Sequence, residues 1–248
     1  MHIIHELLQR SGSFVIGHRG AAGLAAENTL PSFAKALDWR CPMIELDVQL
    51  CGSRSNRQNL VVIHDKKLNR TTNGKGLVAD YSLAELRKFD AGGGAKIPLL
   101  SEVFALLQNH QAETGQTVAL NIELKGSQTA AAVAQTVQFY QDWPVLVSSF
   151  DHQELQAFRH LDTHTPVAPL YDKYRSNWLE VARGLGACGI NMGLKITNAA
   201  RVEAMSRAGY PVSVYTVNDP ATALKLKAMG VRGIFSDRPD LLTPAIAD

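Results

Sequence analysis

The chain has 248 residues, 46% hydrophobic and 19% charged, enough apolar material for one sizeable core and the size of a single α/β barrel. Basic and acidic residues are interspersed and leave a formal net charge of only +2, which excludes the electrostatic footprint of a nucleic-acid or membrane-surface binder. The three cysteines, Cys41, Cys51 and Cys188, lack zinc-type spacing and point to a reducing compartment, so the expected location is the cytoplasm.

In chain order, the N-terminus Met1–Glu6 shows no basic start and no clean apolar stretch, and no later run is long enough to cross a bilayer. The first strand is expected over Phe14–His18 and ends in His18-Arg19-Gly20. His18 there is either structural or chemical, and Arg19, followed by Ala21–Thr29, gives it weight as the rim of an anion site. A helix follows over Thr29–Trp39, where Asn28 could serve only as an N-terminal cap before Pro31.

The next strand, Met43–Gln49, carries the most informative pattern. Successive strand side chains face opposite ways, so Glu45 and Asp47 share one face while Ile44, Leu46 and Val48 pack the other. Buried carboxylates are costly without a partner, and a divalent cation suits several of them at once. The linker Cys51–Asn59 is too short, polar and aperiodic for a parallel crossover. Leu60–His64 is therefore expected as an antiparallel hairpin partner of the Glu45/Asp47 strand, which returns His64 alongside both acids. Asp65 could orient that imidazole. Between Asp65 and Ile97 the helix due after a barrel strand is replaced by turns at Asn73-Gly74, Lys75-Gly76 and Gly92-Gly93-Gly94, read as a small inserted subdomain. The glycine run lacks a phosphate-cradling ending.

Beyond it, strands are expected at Val118–Leu124, Val145–Ser149, Val167–Tyr171, Gly189–Met192, Val212–Val217 and Gly233–Ser236. Helices are expected at Leu99–Gln111, Thr129–Tyr140, Gln153–His160, Asn198–Ala208 and Ala221–Met229. Glu123 and Lys125 share one face of the Val118 strand, where Lys125 could merely neutralise Glu123. Cys188, in an apolar run, is expected in the core. Setting the hairpin strand aside leaves eight parallel strands, so the expected fold is α/β, a (β/α)8 TIM barrel over residues 1–248 as one domain, with an insertion at about 65–97. An open sheet is the alternative.

The chemistry follows from residue types. Three carboxylates, Glu45, Asp47 and Glu123, supply hard oxygen ligands that favour Mg2+ or Ca2+. Arg19 and Lys125 would offset charge on an anionic phosphate. Histidines at separate strand ends suit proton donation and removal near neutral pH. A Schiff-base enzyme using Lys125 and a non-catalytic phosphate binder are the rivals from other classes.

Ten motifs in order, including Gly17-His18-Arg19-Gly20, Glu27-Asn28-Thr29, Glu45-Leu46-Asp47-Val48, Val62-Ile63-His64-Asp65, Asn69-Arg70-Thr71-Thr72, Glu123-Leu124-Lys125, Ser148-Ser149-Phe150, Tyr215-Thr216-Val217-Asn218 and Gly230–Pro239, resemble the glycerophosphodiester phosphodiesterase family over nearly the whole chain. The resemblance implies a barrel with a small insertion, one divalent cation, and hydrolysis of a small glycerophosphodiester to sn-glycerol 3-phosphate and an alcohol. It implies Glu45, Asp47 and Glu123 as metal ligands, His18 and His64 as the acid/base pair, and Arg19 and Lys125 as phosphate contacts. Glu27, Asn28, Phe150, Tyr215 and Asn218, within matched motifs, are expected in support. A related activity on lysophospholipids or inositol phospholipids would need an apolar landing surface, and neither an exposed aromatic nor a basic amphipathic helix is read for one. No nucleic-acid partner or stable membrane association is expected. Two departures, the longer Cys51–Asn59 loop and Tyr215 where the family usually has Trp, bear on substrate preference.

Overall fold

Runs rich in Val, Ile and Leu become strands in this computed structural model, which describes residues 2–52 and 59–246. They are β1 (Phe14–Gly17), β2 (Met43–Cys51), β3 (Asn59–Val62), β4 (Ala119–Leu124), β5 (Val145–Ser149), β6 (Val167–Tyr171), β7 (Ile190–Gly193), β8 (Val212–Tyr215) and β9 (Gly233–Ser236). The eight parallel strands pair in the order β1-β9-β8-β7-β6-β5-β4-β2, and β2 pairs back to β1, closing the ring. The expected (β/α)8 barrel is therefore present, with β3 bonded antiparallel outside it. Val48 stands opposite Val62 and Gln49 opposite Val61, a register the linker length could not supply. Part of that linker, residues 53–58, lies outside the described residues.

The helices are α1 (His2–Gln9), α2 (Leu30–Asp38), α3 (Leu83–Leu86), α4 (Leu100–Thr114), α5 (Thr129–Phe139), α6 (His152–Leu161), α7 (Trp178–Leu185), α8 (Ala199–Arg207), α9 (Pro220–Ala228) and α10 (Pro239–Ile246). Among these, α1, α3, α7 and α10 were not read from the sequence. The first has no continuous apolar stretch, yet Ile4, Leu7 and Leu8 fall at helical spacing on one buried face. Among the described residues, no helix is long and apolar enough to cross a membrane. Exposed aromatics do stand against the reading: Phe139 at the end of α5 is 80% accessible, and Trp39, Phe150 and Tyr174 are exposed as well.

Side-chain alternation divides the apolar residues between two cores. Ile44, Leu46 and Val48 of β2 join Leu120, Ile122 and Leu124 of β4 in the layer that the helices cover. Facing inward, Phe14, Ile16, Met43, Ala119, Leu146, Ala168 and Phe235 fill the barrel, and Ile4, Leu7 and Leu8 of α1 pack onto them. Most of these lie early in their strands, so α1 closes the N-terminal mouth. Cys188 is half-buried against this inner cluster. A third cluster belongs to the 65–97 segment: Leu68, Val78, Leu86, Ala91 and Ile97 pack with Val61 and Ile63 of the hairpin arm.

Because Ile4 is fully buried at the plug, Ile4→Ala is expected to destabilise the protein by ~2–5 kcal/mol, read as a lowered midpoint in urea denaturation. Activity per folded molecule should be unchanged, since the plug lies at the end opposite the polar residues described next.

Candidate active site

The turn after β1 carries the first cluster. Arg19 and Asn28 both adopt left-handed backbone, φ 51° and 57°, a region that Asn enters readily and Arg does not. Local bonds hold Arg19 there: its amide donates to Glu45 Oε2 at 2.9 Å, and its carbonyl accepts from the Asn28 amide and the Ser32 hydroxyl. Gly20 follows at φ 85°, where a Cβ would meet Ser32 at 2.5 Å, so only glycine fits. Strain of this kind collects where a structure needs a particular side-chain position. Here it sets the Arg19 guanidinium 3.2 Å from Asp47 and 2.8 Å from Glu27.

Asn28 does not cap α2; Thr29 does, accepting from the Ser32 amide. The Asn28 side chain instead grips Asp47 twice, donating to Oδ2 at 2.8 Å and accepting from the Asp47 amide at 3.2 Å.

Glu45, Asp47 and Glu123 are buried, and each offers an oxygen within 4.8 Å of the others. The β2–β4 ladder explains this, since Asp47 stands directly opposite Glu123. Their oxygens fit the ~4–5 Å span of a coordination shell around Mg2+ or Ca2+, and buried Glu45 Oε1 has no hydrogen-bond partner among the described residues. The three residues could therefore hold a hard divalent cation. Lys125 Nζ lies 2.5 Å from Glu123 and 3.4 Å from Asp47, so the neutralising role read from sequence is its actual pairing. Burial and the neighbouring acids push the Glu45 carboxyl well above the usual range and Glu123 to about 8. Burial pushes Asp47 up as well, but Lys125 and Arg19 outweigh it and hold it below the usual range.

Each histidine is anchored through Nδ1. His18 Nδ1 lies 2.6 Å from Asp237 Oδ1, and His64 Nδ1 lies 2.6 Å from Asp65 Oδ1. A carboxylate accepts, so in the neutral ring Nδ1 donates and Nε2 is left bare. Burial pushes the His64 imidazole down, which favours that neutral form. Asp237 is held in turn: Asn218 Nδ2 donates to its Oδ2 at 2.8 Å, while Asn218 Oδ1 accepts from the Asp237 amide and the Ser236 hydroxyl. The candidate role of Asn218 is thus exerted through Asp237.

Phe150 stacks edge-on against Tyr215 with centroids 5.6 Å apart, and Lys125 Nζ lies 5.1 Å from its ring centre. Both rings line a cavity of about 20 Å3 with His18, Glu45, Asn121, Glu123 and Ser148. All twelve residues singled out from the sequence thus lie in one connected set, reached through Glu27 and Arg70 on one side and Phe150 on the other. A wider groove of about 730 Å3 includes Trp143, Val145 and Pro166, at the start of β5 and β6, and so opens on the opposite end of the barrel.

Asp237 was missed as a site residue. It sits in the matched Gly230–Pro239 motif, but only ring closure between β1 and β9 brings it to His18. Asn121 and Ser148, which hydrogen-bond each other at 2.8 Å, were legible as polar residues on the face that carries Glu123.

A family model described as the glycerophosphoryl diester phosphodiesterase family matches residues 18–241. A glycerophosphodiester phosphodiesterase of Bacillus altitudinis is 35% identical over 241 residues, covering 91% of this chain and 95% of that protein. Another from Caldanaerobacter subterraneus is 30% identical, covering 93% and 96%. Among solved structures, an Oleispira antarctica phosphodiesterase in complex with the product sn-glycerol-3-phosphate superposes with a TM-score of 0.87 at 32% identity, covering 95% of this chain and 97% of that one.

The raised carboxyls make a stability prediction. Glu123 holds its proton to about 8 when folded, against 4.5 as its ordinary value, so across that window the folded state binds more protons than the unfolded chain. Stability in chelator should therefore fall as pH rises from about 4.5 to 8 and level off above it. Asp47, shifted downward, titrates below this window. Melting temperatures of metal-free protein should decline between pH 5 and 8, and Glu123→Gln, which cannot ionise, should flatten that decline.

Proposed function

Because the chain belongs to the glycerophosphoryl diester phosphodiesterase family, we propose that it hydrolyses soluble glycerophosphodiesters such as glycerophosphocholine or glycerophosphoethanolamine to sn-glycerol 3-phosphate and an alcohol. The observation that carries this reading is the convergence of Glu45, Asp47 and Glu123 within 4.8 Å beside histidines that are each anchored at Nδ1 by a carboxylate. The product complex of the Oleispira antarctica phosphodiesterase supports the choice of product class.

Glu45, Asp47 and Glu123 are the residues we assign to one divalent cation, Mg2+ or Ca2+. When bound, such an ion supplies positive charge for the phosphoryl oxygens and open positions for substrate oxygens. Charge balance supports the assignment. Fully ionised, three carboxylates against Arg19 and Lys125 leave a net negative charge that would repel a phosphodiester anion. Arg19 and Lys125 carry the protein's own positive charge at this rim and meet the phosphate.

His18 and His64 take the proton transfers. A neutral ring that donates at Nδ1 can accept a proton at Nε2 from attacking water, or from the glycerol hydroxyl in a first step whose cyclic phosphate water then opens, and a ring already protonated there can deliver one to the departing alkoxide. Asp65 and Asp237 fix the tautomers that make this division of labour available. Asn28 positions Asp47, Glu27 positions Arg19, and Asn218 positions Asp237. Phe150 and Tyr215 form the apolar wall against which the carbon skeleton of the substrate rests. We place the protein in the cytoplasm, a reading supported by its unpaired cysteines.

Incubation with glycerophosphocholine, coupled to detection of sn-glycerol 3-phosphate, tests the proposal. Turnover should require a divalent cation and vanish in EDTA. His18→Ala and His64→Ala should each lower kcat by ~10²–10⁴-fold with circular dichroism unchanged. Chelator-resistant turnover, or near-normal kcat in either variant, would overturn the assignment.

A further inference from the structure

The 65–97 segment stands apart from the ring, yet one of its side chains reaches both halves of the polar cluster. Arg70 Nε and Nη2 donate to Asp65 at 2.7 and 3.0 Å, and Nη1 and Nη2 donate to Glu27 at 2.7 and 2.8 Å. Asp65 is the carboxylate that holds His64 Nδ1. Glu27 is the carboxylate that holds the Arg19 guanidinium. A guanidinium presents five N–H donors in a rigid fork, and four of these bonds are made inside the protein. Arg70 therefore has little left for an incoming phosphate, which rules against reading it as one more anion contact. The same loop is docked a second way, since a Cβ on Gly92 of the segment would meet Ala26 at 2.7 Å, one residue before Glu27.

Resting on the functional reading above, we infer that Arg70 is a positioning residue of the insertion that aligns His64 and Arg19 together, by bridging Asp65 and Glu27. Exposed ion pairs are worth little on their own, but paired forks in a network of fixed geometry are the exception. Each carboxylate has two oxygens to share between a histidine or Arg19 on one side and Arg70 on the other. Loss of Arg70 frees both carboxylates to turn, and with them the proton-transferring ring and the phosphate-facing guanidinium. A lysine is a poor substitute, because its compact ammonium has three donors and lacks the planar fork that makes two bonds to each carboxylate at once.

The full-length protein with Mg2+ and glycerophosphocholine tests this through Arg70→Ala and Arg70→Lys. Arg70→Ala should lower kcat/KM ~10–100-fold, the range for residues that orient functional groups through a partner. Arg70→Lys, which preserves the charge, should recover little of it. Nitrogen-15 NMR of His64 should show the Nδ1–H tautomer in the wild type and a mixture in both variants, a signature that a merely structural role would not move. In an Asp65→Asn background, Arg70→Ala should cost less than in the wild type. Should Arg70→Ala fail to fold, Arg70→Lys carries both measurements. Wild-type kcat/KM in both variants, or an unaltered His64 tautomer, overturns the inference. A wild-type protein that turns over no glycerophosphodiester sinks the functional reading instead, and the tautomer measurement still decides Arg70.

Discussion

Burial of three carboxylates above a barrel interior filled by apolar side chains is the constraint to which the rest of the polar architecture answers. Parallel register places Asp47 opposite Glu123, and strand alternation adds Glu45 one step below on the same face. In a low-dielectric interior such a cluster repels itself, and the protein's response is graded. Asp47, flanked by Arg19 and Lys125 and held by the Asn28 amide, is kept below the usual carboxylate range, whereas burial and the neighbouring acids push Glu45 and Glu123 above it even with Lys125 beside Glu123. Arg19 is placed by a left-handed turn that a simpler loop would avoid. Local backbone strain, a buried asparagine and a lysine packed on an aromatic ring all serve one electrostatic requirement.

A second organising idea is that orientation comes from outside the ring as well as within it. Each histidine is fixed by an aspartate, and each aspartate is fixed by something further out: Asn218 for Asp237, Arg70 for Asp65. The barrel supplies rigid strand ends, whereas the loops and the insertion supply the supports. Such layering lets barrel loops differ in length while the groups they support keep their geometry.

Much of this was legible in the amino-acid sequence because its signals are local. Period-two alternation placed Glu45 and Asp47 on one face, and the short polar linker identified β3 as the odd strand. Strand ends moved by only one or two residues. What escaped was non-local or ambiguous in period. Asp237 meets His18 across 219 residues, which no spacing rule reveals. Asn28 is expected in support of the site, but a helix cap is an equally local reading, and only the fold shows that Thr29 takes that task. The helix α1 was overlooked although Ile4, Leu7 and Leu8 stand at helical spacing, because eight residues are too short a window for that period to stand out.

The union of β1 with β9, Phe14 beside Gly233 and Gly17 beside Ser236, carries a consequence for biosynthesis. Of the nine described strands β1 is made first, and its second edge waits for β9, the last of them, a long-range closure of the kind that slows folding. The His18–Asp237 pair lies on that seam, so a chain that stops before β9 lacks it. The carboxylate partner of the His18 ring is thereby available only once β9 and the turn after it have been made, so the anchoring of that imidazole is among the late events of assembly.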